Sequence, residues 1–346
     1  MNITIITHKN CSDGAVSAAL LSLYYESDVL SVDISHNVKV VEFQYNEPTE
    51  FINNISNQDI VYLTDISLPT YSLYTQLCLT NKRVISLDHH KTMMDNLILS
   101  NCDVFKHSNC GEYNCFKSND NPNLTMYFPI SDNLSGASLT LSYIKDTHGF
   151  VFGHDIEQTV YHVARRDLWK FDTDTKSFTS TMMYLVGTNV QSYLSIFKLW
   201  HISHGFNRPC DAIICNGNLL ELKMKKFCEY QVGQYSTEPT TIELNGKVGN
   251  ISFLIKEDTS KIRHLSETAS LLLDSNPTVD VVGVVYYPNT HSDLVVSFRS
   301  RMGSELTAID LATNNGGGGH ISAAGCTIDG LTLDSFKRHD ILDYII

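Results

Sequence analysis

The chain has 346 residues, a formal charge of −13, 42% hydrophobic and 18% charged residues, and so reads as a soluble globular protein long enough for two domains. The acidic balance excludes broad electrostatic binding of long duplex DNA, which needs many Lys and Arg on phosphates. A short nucleotide substrate stays open, because bound divalent cations reverse the local field of an acidic cleft.

From the N-terminus, strand-like and helix-like segments alternate. Asn2 to Thr7 is an apolar run leading into His8, and a helical pattern follows from Asp13 to Tyr25, opened by Ser12 as a cap. Val38 to Gln44 predicts a strand, Asp59 to Thr64 a strand running into Asp65, and Pro69 to Leu79 a helix begun by proline. Arg83 to Leu87 predicts a buried strand ending in Asp88-His89-His90. Alternation of this kind implies a doubly wound parallel sheet in an α/β domain. Residues 99–127 are polar and are expected to form a long loop or an irregular hairpin. Helices are expected from Ser135 to His148, from His154 to Arg166, and across much of Lys176 to Tyr235.

The pattern changes near Glu238. Thr240 to Leu244, Asn245-Gly246, and Lys247 to Phe253 predict a hairpin on an Asn-Gly turn. A helix over His264 to Leu273 and strands over Val279 to Tyr287 and Leu294 to Arg299 complete a smaller C-terminal α/β domain. The expected division is a first domain over 1–204, a helical connector over 205–238 and a second domain over 239–346. Nine cysteines show no pairing framework and no signal peptide is evident, so the expectation is a cytoplasmic protein with reduced thiols. Cys102, Cys110 and Cys115 cluster in a polar stretch, but their spacing fits no standard zinc finger and reads as loop cysteines. No apolar run approaches the roughly 20 residues needed to span a bilayer, so no membrane partner is expected. A homo-oligomer is allowed.

Three strand-like runs thus deliver His8 with Asp13, Asp65, and Asp88-His89-His90 to the carboxyl edge of one sheet, where open α/β sheets bind their ligands. Carboxylates and imidazoles together suit Mn²⁺, Fe²⁺ or Zn²⁺. A second signal is Gly316-Gly317-Gly318-Gly319-His320 followed by Ile321-Ser322-Ala323-Ala324-Gly325. Consecutive glycines let backbone N–H groups approach an anion, and the small residues after them suit a helix start; a flexible linker is the plainer reading. Arg299 and Arg301 end the preceding strand and offer guanidinium groups to a phosphate, against the plainer reading of solvated edge arginines. Asp167 by pattern alone is an ordinary helix-end carboxylate.

Taken in order, His8-Lys9-Asn10-Cys11-Ser12-Asp13-Gly14, Leu63-Thr64-Asp65, Asp88-His89-His90, Arg166-Asp167-Leu168-Trp169 and the Gly-Gly-Gly-His-Ile-Ser-Ala-Ala-Gly segment resemble the successive motifs of the DHH phosphoesterases. The C-terminal motif points to the RecJ-like and nano-RNase-like branch that carries a DHH-associated domain. The resemblance implies a two-metal centre, usually Mn²⁺ with Mg²⁺ or another divalent ion as substitutes, in a cleft between the domains. Its ligands would be His8, Asp13, Asp65, His89 and Asp167, with Asp65 bridging. Asp88 would orient or supplement the centre and His90 would face the substrate. Arg299, Gly318, Gly319 and His320 would hold a phosphate or terminal nucleotide. Many members carry two carboxylates in the first motif; here Asn10 precedes Asp13 and becomes a candidate neutral ligand. The expected activity is hydrolysis of short oligonucleotides or linear dinucleotides. A nucleotide phosphomonoesterase or pyrophosphatase, and a catalytically idle nucleotide-binding sensor, are the alternatives.

Overall fold

The computed structural model describes residues 1–28, 36–45, 47–91, 94–98, 103–203, 209–255, 264–286 and 293–328. The chain forms two units, Met1–Glu221 and Leu222–Ile346. Cys102 and Tyr287 lie outside the described residues, as do 204–208 within the expected connector.

The first unit begins with β1 (Asn2–His8), α1 (Ser12–Asp28), β2 (Asn37–Phe43), β3 (Ile60–Thr64), α2 (Tyr71–Thr80) and β4 (Val84–Leu87). It continues with β5 (Phe105–Cys110), β6 (Tyr113–Ser118), β7 (Leu124–Pro129), α3 (Gly136–His148), α4 (His154–Asp167), α5 (Thr173–Leu185) and α6 (Val190–Ser203). The long helix α7 (Pro209–Tyr235) carries the chain past the division at Glu221. The sheet order is β2-β1-β3-β4-β7-β6-β5. The first five of these strands run parallel, while β6 and β5 are antiparallel additions at one edge.

The expected doubly wound sheet is therefore present but mixed, and of the long loop or irregular hairpin expected over 99–127 the structure has a hairpin, β5 with β6, followed by a further strand. Three regular strands lie there, and β7 sits inside the sheet beside β4. Its alternation of Leu124, Met126 and Phe128 inward was masked by the polar composition around it. The hairpin partner β5 exposes most of its residues, which is why the stretch reads as loop.

Both faces of the sheet are covered, as parallel sheets require. Ile3, Ile5 and Tyr62 face α1 and α3 with Ala15, Ala18, Ala19, Leu139 and Tyr143. Ile6, Val61 and Leu63 face α2 with Tyr74 and Leu77. All five residues of β3 are buried, so it reads as an unbroken apolar run rather than an alternating one. Because β1 has β2 on one side and β3 on the other, the chain reverses its winding between β1 and β3. That reversal opens a crevice at the carboxyl ends of the same strands that deliver His8 and Asp65.

The second unit has a six-stranded sheet, order β12-β13-β11-β10-β9-β8. Its strands are β8 (Thr240–Leu244), β9 (Lys247–Ile255), β10 (Val281–Tyr286), β11 (Leu294–Ser300), β12 (Gly318–Gly319) and β13 (Ala323–Ile328), with helices α8 (Leu265–Ser275) and α9 (Ala308–Asn314). Asn245 and Gly246 take φ of 52° and 78°, the left-handed pair that a tight two-residue hairpin demands. The β9–β10 pair is parallel and the others antiparallel. Leu294, Val296 and Phe298 pack with Ala308 and Leu311 of α9, while Val282 and Val284 pack with Ala269 and Leu272 of α8.

The glycine run is corrected here. It feeds a hairpin, not a helix: Gly318 and Gly319 pair with Gly325 and Ala324, and the helix α9 precedes the run. The small residues are explained by close backbone approach. A Cβ at Gly317 would stand 2.1 Å from the Gly325 carbonyl oxygen, and one at Gly319 would stand 2.6 Å from that of Ala323. Among the described residues no helix is long and apolar enough to cross a membrane.

Candidate metal centre

Adjacent strands β1, β3 and β4 end level with one another: Thr7 pairs with Thr64, and Thr64 with Leu87. The next residues are His8, Asp65 and Asp88, so three strand ends place their functional groups side by side. Asp65 has a φ of 57°, a strained left-handed conformation for a residue with a Cβ. The sharp turn stops β3 at the point where its carboxylate is needed.

Asp65 is 1% exposed, and its two oxygens face different imidazoles. Oδ1 lies 3.1 Å from His89 Nε2, and Oδ2 lies 3.4 Å from His8 Nδ1. His89 Nε2 also lies 3.4 Å from Asp167 Oδ2 and 3.9 Å from Asp13 Oδ2. The structure thus brings together all five residues expected as ligands. Asp167 is no ordinary helix-end carboxylate, because α4 ends with its last residue turned into this cluster.

Three buried atoms here make no hydrogen bond: His8 Nδ1, Asp65 Oδ2 and Asp167 Oδ2. Buried polar atoms are normally satisfied, and leaving one unpaired costs about 1–3 kcal/mol. The electrostatics point the same way. Burial first, then the charges of Asp65 and Asp167, pushes the Asp13 carboxyl well above its ordinary value. Burial likewise raises Asp167, against the pull of His89. Burial would raise Asp65 too, but His8 and His89 outweigh it and hold that carboxyl well below the ordinary value. Burial would lower His89, yet Asp65 and Asp167 lift it to about 9. Three converging carboxylates, two of them with a buried oxygen that makes no hydrogen bond, call for positive charge. The donor set fits divalent cations. Ligand-type atoms within 4.8 Å of one another form the triads Asp13, His89 and Asp167; His8, Cys11 and Asp65; and Asp65, Asp88 and His90.

Asp88 is fully buried and serves the two imidazoles beside it. Its Oδ1 accepts from the His89 backbone N–H at 2.8 Å and from His90 Nδ1–H at 2.7 Å, and its Oδ2 accepts from the Ser67 hydroxyl at 2.5 Å. An ionised carboxylate only accepts, so His90 carries its proton on Nδ1. Burial would raise Asp88, but His90 and His89 overcome this and lower it. Burial would lower His90, but the Asp88 charge and hydrogen bond raise it.

Several contributors escaped the sequence reading. Ser135 Oγ–H donates to Asp13 Oδ1 at 2.7 Å, and the Ala137 N–H donates to Asp13 Oδ2 at 3.1 Å. The first turn of α3 thereby fixes Asp13. A Cβ at Gly136 would stand 2.6 Å from the Asp65 Cβ and 2.8 Å from Asp13 Oδ2. A glycine opening a helix, where alanine would be about 1 kcal/mol better, was the available signal. Tyr45 packs edge-on against the rings of His8 and His90, with centroids 5.5 and 5.9 Å away. No spacing in the sequence marks Tyr45 or Ser67.

In the first motif, Asn10 is exposed, with φ 58° in the turn between β1 and α1. The next residue of that turn, Cys11, has its Sγ within 4.8 Å of ligand-type atoms of His8 and Asp65. Burial, and then the charges of Asp65, Asp167 and Asp13, push its thiol well above the ordinary value.

Arg299, Gly318, Gly319 and His320 belong to the second unit. Arg299 pairs with Ala323 across β11 and β13, and the His320 N–H donates to the Ala323 carbonyl at 2.7 Å, so these residues share one end of the sheet. The Arg299 guanidinium donates to Ser266 Oγ at 2.6 Å and to the Phe298 carbonyl at 2.8 Å. Arg301 is used differently from the expectation. Its guanidinium donates to the carbonyls of Leu273, Asn276 and Val279, tying down the end of α8.

No family model matches the chain. An uncharacterized protein, R106 of Acanthamoeba polyphaga mimivirus, is 22% identical over 336 residues, which is 94% of this chain and 68% of that protein. Among solved structures, the pGpG-specific phosphodiesterase PggH of Vibrio cholerae is similar with a TM-score of 0.47 and 13% identity, covering 99% of this chain and 96% of that one. RecJ of Thermus thermophilus in complex with Mn²⁺ has a TM-score of 0.47 and 13% identity, covering 95% of this chain and 49% of that one. An uncharacterized protein of Helicobacter pylori G27 has a TM-score of 0.35 and 18% identity over 99% of this chain and 97% of its own.

Proposed function

We propose that the protein is a metal-dependent phosphodiesterase acting on short phosphodiesters, namely oligonucleotides of a few residues or linear dinucleotides. The observation that supports this most is the cluster of His8, Asp13, Asp65, His89 and Asp167 at a winding reversal, with three buried ligand atoms lacking hydrogen bonds. The resemblance of the ordered motifs to the DHH phosphoesterases adds the reaction class. Mn²⁺ is the first choice of ion, with Mg²⁺ next.

When bound, a pair of divalent ions supplies charge to the phosphoryl oxygens and an ionised water at neutral pH. His8 and Asp65 would hold one ion and Asp13, His89 and Asp167 the other, with Asp65 shared. Asp88 fixes the His90 ring through Nδ1–H and favours the imidazolium, whose Nε2–H is then the proton offered to a leaving oxygen. Ser67 and the His89 backbone N–H hold Asp88 in turn. Tyr45 packs edge-on against the His8 and His90 rings and limits their movement. In the second unit, Arg299, Gly318, Gly319 and His320 are assigned the far phosphate of the substrate. A net charge of −13 agrees with small substrates rather than long duplexes.

The test is a hydrolysis screen of short RNA, short DNA, cyclic dinucleotides, 3′,5′-bisphosphate nucleotides and diphosphate, with Mn²⁺ and with chelator. Mn²⁺-dependent cleavage of short RNA or linear dinucleotides supports the proposal. Cleavage of diphosphate or bisphosphates alone would replace it with the phosphomonoester or pyrophosphate reading. Stoichiometric metal without hydrolysis of any of them would replace it with the binding-protein reading.

A further inference from the structure

The turn between β1 and α1 carries a chemical oddity. The Ala15 N–H donates to the Cys11 carbonyl at 3.0 Å, the first bond of α1, which makes Cys11 the residue that caps the helix. Ser, Thr, Asp or Asn is the usual choice there, because its oxygen satisfies a free helix N–H; a thiol does this poorly. The Cys11 Sγ is instead grouped with a His8 ring nitrogen and an Asp65 carboxylate oxygen, all within 4.8 Å of one another. In these two residues His8 Nδ1 and Asp65 Oδ2, 3.4 Å apart, are buried without a hydrogen bond, and Asp65 is 1% exposed. Tetrahedral ligands held at their usual distances of about 2.0–2.3 Å lie about 3.3–3.8 Å apart, so modest closure completes the set.

We propose that the Cys11 thiolate is a metal ligand, and that the centre is split in chemical character. The nitrogen, sulfur and oxygen of His8, Cys11 and Asp65 suit a thiophilic ion, Zn²⁺, Co²⁺ or Fe²⁺. The nitrogen and two carboxylates of Asp13, His89 and Asp167 suit a harder ion, Mn²⁺ or Mg²⁺. Three protein ligands with a fourth position open is also the pattern of a catalytic rather than a structural zinc site. Binding displaces the thiol proton to solvent as the metal–sulfur bond forms. The inference rests on the metal-centre reading above and deepens it by naming the ion class at one half.

The experiment uses the full chain, stripped and reloaded with Zn²⁺, Co²⁺ or Mn²⁺, with metal content measured independently of activity. X-ray absorption of the zinc-loaded protein is expected to show a sulfur shell at about 2.3 Å. The cobalt form is expected to show a near-ultraviolet thiolate charge-transfer band that is absent in Cys11→Ser. That variant is expected to lose at least about tenfold in Zn²⁺ affinity, since disturbing even outer partners of a metal site costs that much. Its Mn²⁺ affinity at the other triad should change far less. Stoichiometric zinc with only nitrogen and oxygen neighbours would overturn the inference and leave the metal centre standing. No stoichiometric metal of any kind would overturn both. Should Cys11→Ser fail to fold, the absorption spectrum of the unaltered protein decides alone.

Discussion

Gly136 leaves room for Asp65: a methyl group at residue 136 would stand 2.6 Å from the Asp65 Cβ, a distance that real side chains do not reach. Asp65 is already in a strained backbone conformation, so it has little freedom to retreat. Gly136→Ala should therefore push Asp65 off its position between His8 and His89. A displacement on the order of 1 Å in a catalytic group can cost about 100-fold in rate. The expected result is a loss of that size in Mn²⁺-dependent turnover with the far-ultraviolet circular dichroism unchanged. Full activity in a folded Gly136→Ala protein would show that Asp65 does not need its present place.

Asp88 and His90 give a pH prediction. Burial lowers the His90 imidazolium's stability and Asp88 raises it by more; His89, 4.6 Å away ring to ring, opposes and Asp65 assists. His8 and Tyr45 also pack against the ring. A raised value means that the imidazolium persists to higher pH and is lost as pH rises through it. If protonated His90 serves the leaving oxygen, that loss is the alkaline limb of the kcat profile. Asp88→Asn removes the charge and leaves burial, so the alkaline limb should move to lower pH and kcat should fall. A limb that stays in place would assign it to another group.

His320 separates substrate length from chemistry. For His320→Ala, turnover of a short oligonucleotide should fall by about 100-fold, the usual cost of losing a transition-state donor. A small chromogenic phosphodiester that engages only the metal centre should lose much less. Equal losses on both substrates would mean that His320 supports the fold of the β12–β13 hairpin, where its backbone is already bonded to Ala323.

The centre was legible in the sequence because strand ends are. His8, Asp65 and Asp88-His89-His90 each follow a run of buried apolar residues, and parallel strands place such ends in register. Asp13 followed from the same logic, in the first turn of the helix after β1. Residues that act through space without a strand of their own were not legible. Ser135 and Gly136 reach Asp13 and Asp65 from far along the chain, and Ser67 orients Asp88 by a fold-dependent contact. The glycine run misled about the element after it, because glycines needed for close strand pairing look like glycines that open a helix. Only the register of Gly317 and Gly319 against Gly325 and Ala323 tells them apart. Residues 99–127 were only partly legible because the exposed strand β5 has the composition of a loop, although its partner β6 is mostly buried.

Everything proposed for the centre depends on Asp65 as the shared ligand, its two oxygens facing His8 and His89 at 3.4 and 3.1 Å. The most direct measurement is metal content and turnover of Asp65→Asn beside the unaltered protein, each with chelator and then with Mn²⁺ restored. An amide keeps the shape but removes the charge that holds two cations together. The unaltered protein should bind about two ions per chain, lose activity to chelator and regain it with Mn²⁺. Asp65→Asn should fold, bind less metal and show almost no turnover. Undiminished hydrolysis by Asp65→Asn in the presence of chelator would contradict a shared-ligand metal centre.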